Sequence, residues 1–272
     1  RLRHVTVIPE IEMPGHALAA LASYPELSFD STQTYKVSPT WGVFEQVFCP
    51  SETTFKFFEG VMDEVVELFP SEYIHIGGDE CPKTAWKNSA FCQQLIRQLG
   101  LKDDVTPSKV DGVKHSKEDK LQSYFVTRME KYLNDKGRNI IGWDEILEGG
   151  LAPNATVMSW RGVEGGLNAA KAGHNAIMTP MPYAYLDFYQ EDPAIAPTTI
   201  GGYTTLKKTY SYNPAPDDAD ELVKKHVIGM QGNIWREYMK NSDRTDYQAF
   251  PRAMAIAETG WTLDANIMAG RD

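Results

Sequence analysis

Cysteine is scarce in this 272-residue sequence: Cys49, Cys81 and Cys92 are the only three. An odd number with no paired spacing indicates neither a disulfide framework nor a zinc site. Long apolar runs are missing too, since nothing approaches the roughly 18 residues needed to cross a bilayer. Positive charge is short: 27 Lys and Arg stand against 37 Asp and Glu, a net charge of -10. That balance argues against nucleic acid as the main partner, because phosphate binding needs clustered cations. It suits a neutral or cationic substrate. No glycine-rich phosphate-binding fingerprint follows any strand-like run, which counts against a nucleotide-binding doubly wound sheet. The sequence opens at Arg1 with no Met and no signal peptide, so we expect the natural N-terminus to lie outside it. What is present is ordinary globular material, 42% hydrophobic and 24% charged, enough for one large domain or two small ones.

Along the chain, apolar strand-like runs alternate with helical patterns. Strands are expected to begin at Val5, Tyr73, Asn139, Thr156, Asn175 and Val227. The clearest helix covers Glu52–Phe69, where Phe55, Phe58, Val61, Met62, Val65 and Leu68 recur at spacings of three and four and Pro70 stops the run. Further helices are expected over Ala17–Ser23, Ala90–Leu99, Leu121–Leu133, Val163–Ala172, Asp218–Lys225 and, at the end, Gln248–Gly260. Tyr24–Pro50, Lys102–Glu118 and Pro180–Pro216 read as long loops. Strand-helix alternation at this spacing predicts parallel strands under covering helices. Polar and aromatic residues cluster just after the strands, and in a (β/α)8 barrel every such position lies on one rim.

The most informative stretch is Tyr73-Ile74-His75-Ile76-Gly77-Gly78-Asp79-Glu80. It reads as a short strand, a glycine turn that frees the backbone, and two carboxylates in succession. Two acids held together repel, which favours a proton on one of them, as acid catalysis requires. Alone, the octapeptide fits a solvated acidic turn equally well. Trp143, Trp160 and Trp235 also stand at strand ends, with apolar faces that match the C–H face of a sugar ring. Asp187 and Glu237 could accept hydrogen bonds from hydroxyls. Paired acids, stacking aromatics and no metal site suit glycoside hydrolysis.

His75-Ile76-Gly77-Gly78-Asp79-Glu80 resembles the signature of family 20 glycoside hydrolases, the β-N-acetylhexosaminidases. Val7–His16 is similar to their third-strand motif. Gly142–Glu145, Ser159–Arg161, Tyr185–Asp187 and Gly232–Glu237 resemble later strand ends in order, and Pro251–Glu258 the last helix. The resemblance implies a TIM (β/α)8 barrel and an exo-acting, retaining, substrate-assisted mechanism without a cofactor, through an oxazolinium intermediate. It implies Glu80 as general acid and then base. Asp79 would orient the acetamido N–H, and Tyr185 would donate to the acetamido oxygen. Trp143, Trp160 and Trp235 would wall the pocket, Asp187 and Glu237 would bind outer hydroxyls, and His16 would support the acid. His75 is given a structural role. The implied partners are glycans ending in N-acetylhexosamine, GlcNAc or GalNAc, in a periplasmic, secreted or lysosome-like compartment.

The sequence departs from the family at Glu12, where an Asp is commoner. Two other readings stay open: a non-catalytic carbohydrate-binding barrel, and a metal-dependent barrel hydrolase using His16, His75, Asp79 and Glu80. A full barrel takes roughly 250 residues, yet only six strands are expected here. The first of them matches the family's third. Residues 1–272 are therefore expected to be a catalytic barrel domain lacking its first two strands, that is, strands 3 to 8.

Overall fold

A computed structural model describes residues 3–262 of the chain. The chain divides into two compact units, one up to Val157 and one from Met158 on.

In the first unit, β1 (Tyr73–His75) pairs in parallel with β2 (Asn139–Trp143), Ile74 opposite Ile140. Both strands are largely buried, which is why they read as apolar runs without alternation. Helices α1 (Leu18–Ser23), α2 (Glu52–Leu68), α3 (Thr84–Asn88), α4 (Ala90–Gln98) and α5 (Lys117–Asp135) complete this unit. The Ser51 side chain caps α2 by accepting from the Thr54 N–H at 3.2 Å. Phe55, Phe58, Met62 and Val65 then fall on one buried face. That face meets α5 through aromatic pairs, Phe55 with Phe125 at 4.8 Å and Phe58 with Phe125 at 6.2 Å between centroids. Such pairs add about 0.5–1.5 kcal/mol each beyond the area they bury. A capping box opens α5: Ser116 Oγ accepts from the Asp119 N–H, and Asp119 accepts from the Ser116 N–H at 2.8 Å. A second core gathers Val47, Cys81, Trp86, Cys92, Ile96 and Leu121. All three cysteines are free and buried.

The strand expected at Val5–Ile8 is absent. Val5, Val7 and Ile8 are 67%, 57% and 41% exposed, and pairing starts only at Pro9. From there the chain runs parallel to β1: the His75 N–H donates to Pro9 O, the Ile11 N–H to His75 O and the Met13 N–H to Ile76 O, at 2.9–3.1 Å. The β-forming residues thus precede the paired segment instead of forming it.

β3 (Thr156–Ser159) spans the junction of the units. In the second unit, β4 (Ala176–Met178) pairs in parallel with β5 (Val227–Met230). Helices α6 (Glu164–Lys171), α7 (Met181–Ala184), α8 (Leu206–Tyr210), α9 (Glu221–His226), α10 (Ser242–Ala249) and α11 (Arg252–Trp261) surround them. α6 lies close over β4 because Gly166 has no side chain; a Cβ there would sit 2.4 Å from Met178 Sδ. The single closing helix expected over Gln248–Gly260 is two helices. Pro251 lacks an N–H and cannot continue the ladder of α10, so α11 starts afresh after it. The described residues hold five strands, plus the parallel bridge of Glu10 with His75. No helix among them is long and apolar enough to cross a membrane.

Candidate active site

The end of β1 builds the acid turn. Gly77 and Gly78 take φ of +70° and +94°, values that a side chain would strain. Asp79 follows, largely buried, and then Glu80 at φ +45°, with its side chain 38% exposed. A non-glycine residue held in that region is uncommon and recurs at functional sites. His16, itself at φ +46°, reaches across from the segment after Met13: its Nε2 lies 3.2 Å from Asp79 Oδ2 and 3.4 Å from Glu80 Oε2. The approach is close because Gly15 leaves room; a Cβ there would sit 2.8 Å from the Asp79 carbonyl oxygen. From α5, Gln122 Nε2 donates to Gly78 O at 2.7 Å, and Lys83 Nζ donates to Gln122 Oε1 at 2.6 Å. The turn is therefore tied to a helix as well as to its strand.

The electrostatics separate these groups. Burial would raise the Asp79 carboxyl, but hydrogen bonds with His16 and Glu12 outweigh it and hold Asp79 below its ordinary value. The hydrogen bond to Asp79 in turn raises His16, against a smaller opposing effect of burial. His75 is pushed down to about 4 by burial and stays neutral. Its Nδ1 accepts from the Gly77 N–H at 3.0 Å, which fixes its role as structural.

Two further acids stand beside Asp79: Glu12, which the sequence placed at the rim as a departure from the family, and Glu10, which sequence reasoning left out of the site. Glu10 and Glu12 are two residues apart on the extended segment next to β1, so both project to one face. That period-2 spacing was the available signal. Glu10 Oε1 accepts from Trp143 Nε1 at 2.8 Å. Glu12 Oε1 accepts from the Gly78 N–H at 3.0 Å. Glu10, Glu12 and Asp79 offer oxygens within 4.8 Å of one another, as do the donor atoms of His16, Asp79 and Glu80. Trp143 is 3% exposed and stands 4.9 Å from the His75 ring. It braces the turn from within the core.

In the second unit, Tyr185 forms a parallel bridge with Asn233, and the Leu186 N–H donates to Asn233 O at 2.7 Å. The Tyr185 ring is buried and stacks on Trp160 at 6.3 Å and 30°. Asp187 is 4% exposed, and neither carboxylate oxygen has a hydrogen-bond partner. Burial, with a smaller push from Glu237 and against the pull of Arg252, raises its carboxyl to about 7. The peptide on either side of Asp187 is clamped. Arg252 NH2 donates to Leu186 O at 2.6 Å and its NH1 to Phe188 O at 3.3 Å, while Gln248 Nε2 reaches both carbonyls at 3.2 Å. Trp235 is 37% exposed, and Glu237 is exposed beside it. Asp187, Trp235 and Gln248 line a shallow surface depression with Arg244 and Tyr238.

The His16, Asp79 and Glu80 expected from the sequence thus meet in one cluster, and in the second unit Tyr185, on the same segment as Asp187, stacks on Trp160. Over 262 residues the chain is 50% identical to a beta-hexosaminidase of Porphyromonas gingivalis, covering 96% of this chain and 32% of that protein. It is 35% identical to a beta-hexosaminidase of Vibrio furnissii, covering 98% and 42%. Among solved structures, it superposes on the exo beta-N-acetylglucosaminidase of Vibrio harveyi bound to N-acetylglucosamine with a TM-score of 0.78 and 32% identity. That match covers 99% of this chain and 41% of the other. The chain therefore spans 32–42% of the length of these proteins. Its fold is that of the family's TIM barrel in part: the described residues hold five parallel strands, against the six, strands 3 to 8, expected from the sequence. Residues 1–264 match the model of the glycosyl hydrolase family 20 catalytic domain, and the chain belongs to that family.

Proposed function

We propose that this chain carries the catalytic machinery of a retaining, exo-acting β-N-acetylhexosaminidase that works by substrate assistance. One observation supports the reading above the rest: in the acid turn Asp79 is held as an anion by His16, while Glu80, next to it, extends toward solvent at φ +45°. In the first step the acetamido oxygen of the substrate bonds to the anomeric carbon. The glycosidic C–O bond breaks, and the Glu80 proton goes to the departing oxygen. Asp79 takes the acetamido N–H and offsets the positive charge that builds on the oxazolinium ring, while the Tyr185 hydroxyl donates to the acetamido oxygen. In the second step water attacks the anomeric carbon, its proton returns to Glu80, and the ring opens to the acetamide. Two displacements leave the anomer unchanged. Asp187 and Glu237 would accept from outer hydroxyls, and Trp143, Trp160 and Trp235 would wall the sugar pocket.

The test is turnover of a 4-nitrophenyl β-N-acetylglucosaminide beside the corresponding glucoside. The acetamide should be hydrolysed and the glucoside almost untouched, and a thiazoline mimic of the intermediate should inhibit tightly. Comparable rates on both sugars refute substrate assistance. The rival metal reading keeps His16, Asp79 and Glu80 within 4.8 Å, a group that does not include His75. Activity that persists in a strong chelator disposes of it.

A further inference from the structure

The carbonyls of Gly78 and Cys81 bracket the acid pair, and two joined side chains hold both. Gln122, on α5, donates through Nε2 to Gly78 O at 2.7 Å. Lys83 donates through Nζ to Cys81 O at 2.8 Å and to Gln122 Oε1 at 2.6 Å. These three bonds close a bridge from one side of Asp79–Glu80 to the other. Its polarity is fixed, because an ammonium only donates: with Oε1 turned to Lys83, the Gln122 amide presents its N–H to Gly78 O. Gln122 is buried, and both ends of its amide are in use. Asp119 Oδ1, one turn before Gln122 on α5, lies 3.7 Å from Lys83 Nζ, so α5 also supplies a counter-charge. The bridged span is strained, with Gly78 at φ +94° and Glu80 at φ +45°. Backbone of this kind persists only where the surrounding contacts over-determine it. The Asp79 carboxylate has its own anchor in His16 at 3.2 Å. The Glu80 side chain stands farther from that ring, at 3.4 Å, and is 38% exposed, so its aim rests more on the backbone beneath it.

We propose that Gln122 and Lys83 are positioning residues for the general acid: joined to each other, they hold the backbone of Asp79–Glu80 at both ends and so aim the Glu80 carboxyl at the departing oxygen. The proposal rests on the role of Glu80 in the reading above. Neither residue moves a proton; both act through the peptide that carries the acid. Proton transfer works only within hydrogen-bond reach, and a misplacement of about 1 Å can cost on the order of 100-fold in rate. Protonation of the leaving group is therefore the event most sensitive to slack in this turn. The two members depend on each other. Without Lys83 the Gln122 amide is free to turn its oxygen toward Gly78 O, which repels it. Without Gln122, Lys83 holds the Cys81 end alone.

The test compares Gln122→Met, Lys83→Met and the double variant with the native protein, on an alkyl and on a 4-nitrophenyl N-acetylglucosaminide. Methionine keeps an unbranched chain of similar length and removes the hydrogen-bonding atoms. In Gln122→Met, kcat on the alkyl glycoside should fall about 10- to 100-fold, because its departing oxygen needs the Glu80 proton. On the nitrophenyl glycoside it should fall about threefold or less, since that leaving group needs little protonation. A merely structural role would lower both rates together through the fraction folded, so equal losses overturn the proposal. The double variant should lose little more than Gln122→Met alone, as residues of one network do. Losses that multiply would make the two residues independent and would overturn the bridge. If Gln122→Met does not fold, Lys83→Met and the same pair of substrates decide. Amide hydrogen exchange at Gly78–Cys81 reads the bridge without turnover. It should quicken about 10-fold in either single variant while the amides of α2 keep their native rates. Unchanged exchange in the turn overturns the proposal. A native protein that hydrolyses no N-acetylglucosaminide, but whose turn exchanges faster once the bridge is cut, refutes the activity and leaves the bridge as what holds the turn.

Discussion

Glu80 and Asp187 show how much one carboxylate's surroundings decide. Glu80 is assigned as the acid, so Glu80→Gln should lose most turnover on alkyl or sugar leaving groups and much less on activated aryl glycosides. Equal losses on both would remove it from that role. Asp187 gives a pH prediction. Its unfolded value is an ordinary one near 4 and its folded value about 7. Between these the folded chain holds a proton that the unfolded chain has released, so stability falls as pH rises from about 4 to about 7 and is then level. Asp187→Asn should therefore gain stability over the native protein at pH 8 and gain little at pH 4, in denaturant titrations. That Asp79 and Glu80 follow directly on β1 was legible in the sequence, because the order of a strand, a glycine turn and two acids is local information. The gathering of Glu10 and Glu12 near Asp79 was not, since it brings together residues far apart in the chain.

The acid turn is the element on which the first unit's chemistry depends. Gly77→Ala meets two separate penalties. Its φ of +70° strains any side chain, and its Cβ would displace the Glu12 carboxyl. The strain should cost about 1–3 kcal/mol. The displacement is cheap in stability, because a side-chain end can swing away, but kcat should drop with it. A Gly77→Ala protein with native kcat would mean that Glu12 need not sit there. In the second unit, Gln248→Met removes two donors to the carbonyls flanking Asp187, while Arg252 keeps one to each. We expect a loss of about 1 kcal/mol and a KM that rises more than kcat falls, since Asp187 serves binding. At this scale the sequence read well wherever periodicity was long, as in α2. It misread Val5–Ile8, where β-forming residues stand exposed and the paired backbone is the proline-bounded segment after them. It also merged α10 with α11, because a proline between two helical patterns can kink a helix or end it, and periodicity does not distinguish the two.

For the molecule as a whole, alternation of strands and helices predicted parallel strands under covering helices, the family resemblance implied the barrel, and the comparisons bear the fold class out. Alternation says nothing about closure, which depends on strands brought together from anywhere in a chain. Specificity for chain ends is the property that belongs to this scale. With Trp235 and Glu237 on the surface beside a buried Asp187, one terminal sugar should be taken at a time. Digestion of a long chitin-like polymer should release monosaccharide from the first minutes. Internal oligosaccharides appearing early would contradict exo action.

The seclusion of Cys49, Cys81 and Cys92, none more than 8% exposed, has a practical consequence. Toward a thiol-reactive dye the native surface is nearly silent, so a cysteine introduced at an exposed loop position such as Thr34 would be the one that takes up label. A fluorophore placed there would report on this molecule against almost no background, without first stripping out the native thiols and disturbing the core they fill.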